Sequence, residues 1–155
     1  MRRRKILAAG IVFCMCMRSL CACESQQLSG EDKVRVGVAY YNQSDTFLNE
    51  LIACFKEELQ SFESDDLEVT VTVRDAAGSQ RTQDDQVKEM LDAGCNVLCV
   101  NLVDRADPSE IIDLARERDI PIIFFNREPV AEDLMQQDGL YYVGAEAEES
   151  GIMQG

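Results

Sequence analysis

The sequence contains no histidine, which removes histidine-based general acid–base catalysis and histidine-containing metal sites from its repertoire. Basic residues are scarce beside acidic ones, 15 against 29, and the formal net charge is −14. Such a field repels nucleic acid and anionic lipid, so neither is an expected partner, and most of the acids read as a solvated face. The apolar run near the start, Ile6 to Met17, is too brief to cross a bilayer as a helix, which takes about 20 residues. There is no internal repeat and no low-complexity tract, and 155 residues leave room for one domain of ordinary size.

What is present begins with a basic cluster, Arg2, Arg3, Arg4 and Lys5, ahead of that apolar run, the pattern of a secretory signal. The run ends in Leu20-Cys21-Ala22-Cys23, which resembles the lipobox of bacterial lipoproteins. Residues 1–22 are therefore expected to be a lipoprotein signal peptide, residues 23–33 a flexible tether lipidated at Cys23, and residues 34–155 the folded part. The alternative is a soluble secreted protein cut nearby, with Arg18 as the feature in its favour. Cleavage before Cys23 removes five basic residues and no acids, taking the net charge from −14 to −19, so only acyl chains would hold the protein at a membrane. Three of the seven cysteines, Cys54, Cys95 and Cys99, remain beyond Cys23. Cys95 and Cys99 bracket one strand-like run, too far apart along it to bridge, and are expected as buried thiols.

The remainder alternates short apolar runs with segments of helical periodicity. Strands are predicted at Val34–Tyr41, Leu67–Val73, Asn96–Leu102, Ile120–Phe125 and Leu140–Val143. Helices are predicted at Thr46–Phe62, at Thr82–Ala93 closed by Gly94, at Pro108–Arg118 with proline in first position, briefly after Pro129, and from Glu148 onward. Helices between successive apolar strands imply an α/β fold: an open parallel sheet, order 2-1-3-4-5, with helices on both faces. Ligands of such sheets bind beyond the carboxyl ends of the strands where the order reverses, between the first and third.

Asp45 and Asn101 fall beyond those two ends and Asn126 beyond the fourth. A carboxylate accepting two hydroxyls, an amide serving in both directions and the Phe47 ring would suit a neutral sugar. Each also has a plainer reading: Asp45 caps the first helix, Phe47 belongs to the core, Asn101 serves a turn. Phosphate binding is disfavoured, because the turn YYNQSDTF has no glycine and carries an acid. A phospho-receiver would want an aspartate where Asn101 stands, and paired-carboxylate hydrolysis lacks a partner for Asp45, the nearest acid, Asp104, reading as a loop residue. No catalytic residue and no metal ligand is assigned; the protein is expected not to be an enzyme.

The segments RVGVAYYNQSDTF, QDDQVKEMLDAGCNVLCVNLVD, IPIIFFNREP and YYVGAEAEESGIMQG resemble consecutive blocks of the periplasmic galactose/glucose-binding proteins, from about Arg35 to the last residue. The resemblance implies that residues 34–155 are the N-terminal lobe of a type I periplasmic-binding-protein fold, incomplete, with the second lobe absent. It implies hexose contacts at Asp45, Phe47 and Asn101. Asn126 and Arg127 match a pair that contacts sugar in the related ribose-binding proteins and are held as secondary, structural candidates. No cofactor is expected in this chain; the calcium loop of some relatives belongs to the absent lobe. The implied partners are a monosaccharide and the membrane subunits of an ABC-type permease, with a chemoreceptor or sensor kinase as the alternative and an inactive truncated product as a further one. Half a cleft alone is expected to bind sugar weakly.

Overall fold

The computed structural model describes residues 32–136 and 138–145. Cys23, the signal region and the helix expected from Glu148 lie outside the described residues. Five strands, β1 (Asp32–Tyr40), β2 (Leu67–Asp75), β3 (Val97–Val100), β4 (Ile122–Phe125) and β5 (Leu140–Val143), form one sheet in the order β2-β1-β3-β4-β5. Every pairing is parallel: Val36 lies opposite Val71 on β2 and Val97 on β3, Val100 opposite Phe124, and Phe124 opposite Tyr142. The predicted order and parallel sense are those observed.

Helices α1 (Thr46–Ser61), α2 (Gln80–Asp92), α3 (Ser109–Arg116) and the single turn α4 (Ala131–Leu134) connect the strands. Alternation along β1 divides the interior into two layers. Val36, Val38 and Tyr40 pack with Leu48 and Ile52 of α1 and with Cys99. Ala39 faces the other way, into a layer with Val87, Met90 and Leu91 of α2, Ile111, Ile112 and Ala115 of α3, and Leu98, Val100, Ile122 and Phe124 of the sheet. Each fully buried side chain of this size stabilises the fold by about 1.5–3 kcal/mol before chain entropy is counted. Gly37 is required by close approach: a Cβ there would stand 3.1 Å from both Leu98 Cδ2 and Met90 Sδ, so α2 could not seat against β1 beneath a larger residue.

Cys95 and Cys99 are free and buried, as expected, and Cys54 is free and exposed. Burial pushes the Cys99 thiol up to about 11, keeping it protonated and inert at neutral pH.

The strand and helix ends differ instructively from expectation. β3 stops short at both ends, because Asn96 and Asn101 replace ladder bonds with side-chain bonds. At its entry Asn96 accepts the Arg35 N–H (2.8 Å) and donates to Lys33 O (2.6 Å). Helix α2 starts at Gln80, earlier than expected, because Ser79 caps it by accepting the Thr82 N–H at 3.2 Å. Pro108 is the N-cap of α3 and not its first residue.

Candidate functional site

The segment between β1 and α1 is pinned by its own polar side chains. Asn42 Oδ1 accepts the Ser44 N–H at 2.8 Å, and Asp75 Oδ1, at the end of β2, accepts those of Gln43 (3.0 Å) and Ala77 (2.9 Å). Asp45 then opens α1 as its N-cap, with Oδ1 accepting the Leu48 N–H at 3.1 Å. Its other oxygen accepts the Tyr41 hydroxyl at 2.8 Å. The Leu48 N–H foremost, and then the Tyr41 hydroxyl, hold the Asp45 carboxyl below the usual aspartate range, while the same bond pushes the Tyr41 phenol up. A carboxyl lowered in the folded state favours folding at pH above its unfolded value, and that contribution is lost as pH falls through the folded value.

Asn101, just past β3, is fully buried. Its Oδ1 accepts the Tyr41 N–H at 3.5 Å, and its Nδ2 donates to Phe125 O (3.0 Å) and Asn126 Oδ1 (3.2 Å). It thus ties the ends of β1, β3 and β4, with its side chain turned inward. Buried Gln83 of α2 holds the chain as it leaves β3, donating to Asn101 O at 2.9 Å and accepting the Val103 N–H at 3.0 Å.

Asn126 follows β4 with φ +62°, a left-handed conformation that asparagine tolerates better than most residues. It is exposed, and its backbone N–H bonds Val143 O at 2.9 Å. Arg127 reaches back over the site: Nη1 donates to Leu102 O at 2.8 Å and the guanidinium lies 4.9 Å from the centre of the Tyr41 ring.

Phe47 is not core; its ring is 60% exposed. Together with Leu51, Phe55, Phe125, Val143 and Asn126 it lines an open cavity of about 470 Å³ on the α1 face of the sheet. Asn126 therefore borders both the apolar cavity and the polar cluster. Asp45, Asn101, Asn126 and Arg127 are all joined through Tyr41 or directly, and Phe47 stands two residues beyond Asp45. Tyr41 and Gln83 are the members that sequence reading missed. Tyr41 reads as the last residue of an apolar strand, and Gln83 as one more polar position on an amphipathic helix.

An open parallel sheet whose switch point gathers a carboxylate, two amides and a phenol beside an exposed aromatic ring defines a ligand-binding α/β domain. The family described as periplasmic binding protein domain matches residues 36–155, and the chain belongs to it. The D-galactose/methyl-galactoside binding periplasmic protein of Haemophilus influenzae is 33% identical over 121 residues, covering 78% of this chain and 35% of its own length. The chain thus spans about a third of that curated relative. An ABC transporter solute binding protein from Clostridium phytofermentans, solved with bound β-D-glucose, superposes with a TM-score of 0.65 at 21% identity, over 77% of this chain and 34% of that one. A carbohydrate transporter solute binding protein from Chloroflexus aurantiacus, in complex with D-glucose, also gives 0.65, at 19% identity over 79% and 34%. The fructose binding periplasmic domain of a hybrid two component system gives 0.63 at 24% identity, over 78% and 37%. At these identities the structural likeness is one of fold.

Proposed function

We propose that this chain is the first lobe of an extracytoplasmic solute-binding lipoprotein that recognises a hexose of the galactose or glucose type and presents it to an ABC-type importer, binding the sugar without transforming it. The observation that carries the reading is the clustering of Asp45, Asn101 and Asn126 at the carboxyl ends of β1, β3 and β4, beside the exposed Phe47 ring. The Asp45 carboxylate has more acceptor sites than the Leu48, Tyr41 and Phe47 donors fill, which leaves capacity for a sugar hydroxyl. Asn101 has its amide nitrogen occupied by Phe125 O and Asn126 Oδ1, and reaches a hydroxyl when exposed Asn126 gives way to it. Phe47 covers the C–H face of the ring. The 33% identical relative named for D-galactose and methyl-galactoside supports the hexose class, and the glucose-bound neighbours agree with it.

One lobe covers one side of the sugar, so its affinity is low. At about −0.3 kcal/mol for each of about a dozen non-hydrogen atoms, binding amounts to about −3.6 kcal/mol, or a dissociation constant of about 2 mM. Titrating D-galactose or D-glucose into the isotopically labelled chain is expected to move the amide resonances of the Tyr41–Phe47 segment and of Asn101 in this concentration range. Resonances that stay fixed up to ~100 mM sugar, far above that constant, or that move elsewhere, refute the reading.

The lipid anchor is a separate part of the proposal, resting on Leu20-Cys21-Ala22-Cys23. Cells expressing the chain with a radioactive fatty acid are expected to label it, and Cys23→Ala to abolish the label. Label persisting in that variant, or absent from the wild type, rules the anchor out.

A further inference from the structure

We infer that Tyr41 is a positioning residue for hexose recognition: its hydroxyl fixes the Asp45 carboxylate in the orientation that meets the sugar, while Arg127 holds the Tyr41 ring in place. The inference rests on the proposed hexose reading and adds to it a residue that does not itself touch the ligand.

An N-cap bond alone restrains only one carboxylate oxygen, because the group can rotate about its terminal torsion, which is broad for aspartate. In this chain the second oxygen is restrained as well. Leu48 N–H holds Oδ1 at 3.1 Å and the Tyr41 hydroxyl holds Oδ2 at 2.8 Å, so the carboxylate plane is set from both sides before any ligand arrives. Tyr41 is itself restrained at three points. Its backbone N–H faces Asn101 Oδ1 at 3.5 Å, its carbonyl accepts the Gly78 N–H at 2.7 Å, and its ring lies 4.9 Å beneath the Arg127 guanidinium. Arg127 is anchored in turn on Leu102 O at 2.8 Å. The result is a brace running Leu102–Arg127–Tyr41–Asp45 across the ends of β3, β4 and β1. Fixing polar groups in advance removes an ordering cost from binding.

Tyr41→Phe removes the hydroxyl and keeps the ring beneath Arg127. Two readouts on the full chain test the inference. Carboxyl-carbon NMR is expected to show Asp45 titrating at higher pH in Tyr41→Phe than in the wild type, a response that loss of packing elsewhere would not produce. The dissociation constant for D-galactose or D-glucose, followed by amide shifts, is expected to rise roughly fivefold, the equivalent of one ordinary hydrogen bond, with the dispersion of the remaining resonances unchanged. An unmoved Asp45 titration, or an unmoved dissociation constant, overturns the positioning role. Asp45→Asn separates this from the underlying reading, since asparagine caps a helix as well as aspartate does. If Asp45→Asn loses the sugar response while Tyr41→Phe keeps it, only the positioning role fails; if Asp45→Asn keeps the response, the hexose reading fails and the inference with it.

Discussion

Asn101→Leu is expected to lower the unfolding free energy by about 1–3 kcal/mol and to abolish the hexose response of whatever folded protein remains. Leucine keeps the branched shape of asparagine and suits a buried position, so most of the cost comes from the groups left behind. The Tyr41 N–H loses its acceptor at the end of the sheet where water is excluded from the Asn101 side chain, while the Phe125 carbonyl loses one of its two donors and keeps the Arg127 N–H at 2.7 Å. An orphaned buried backbone group costs about 1–3 kcal/mol. Urea denaturation followed by circular dichroism measures the loss. A variant within 0.5 kcal/mol of wild type, roughly the range of neutral surface changes, would show that Asn101 does not hold the three strand ends together.

Phe124→Ala is expected to cost more in stability, about 3–5 kcal/mol, and to leave the polar cluster's own groups intact. Among the described residues Phe124 is the largest of the fully buried side chains, set in β4 between Val100 and Tyr142 and packed in the layer beneath α2 and α3. Its removal opens a cavity that the close-packed surroundings fill only in part. The same urea titration reads the effect. The two variants form a contrast: both unfold early, but only Asn101→Leu removes a group assigned to sugar. Under conditions where Phe124→Ala is still folded, it is expected to retain the amide shifts induced by hexose, and their loss would mean that the response reports stability and not contact.

Much of this architecture could be read from the residues because the sheet is buried on the α2–α3 side over β1, β3 and β4 and on the α1 side over β1. Runs such as VLCV and IIFF leave little choice but interior strands. The order β2-β1-β3-β4-β5 then follows from how helical crossovers wind a parallel sheet. Strand ends were harder to read, since their limits depend on side chains that imitate the backbone. Asn96 and Asn101 look like the flanks of one continuous strand until their amides are seen bonded to Lys33, Arg35, Tyr41 and Phe125.

The site divides along the same line. Asp45 has the capping role that its place before a helical run suggests, and one residue can serve that role and a ligand together. Phe47 was legible as a ring near the crevice, but not as an exposed one. Tyr41 was invisible as a site residue because strand alternation says nothing about where the residue after the last ladder bond will turn. Its hydroxyl finds Asp45 and its ring finds Arg127, a residue 86 positions later in the chain, and no local pattern records such a meeting.

A hexose that lies against the Phe47 ring while its hydroxyls meet Asp45 and Asn101 brings its C–H protons within reach of that ring. Intermolecular nuclear Overhauser effects between sugar C–H protons and the labelled chain read that contact directly. Cross-peaks are expected to the ring protons of Phe47 in the sample in which the Asp45 and Asn101 amides shift. Cross-peaks confined to other exposed rings, such as Phe62 or Tyr141, with Phe47 silent, would contradict it.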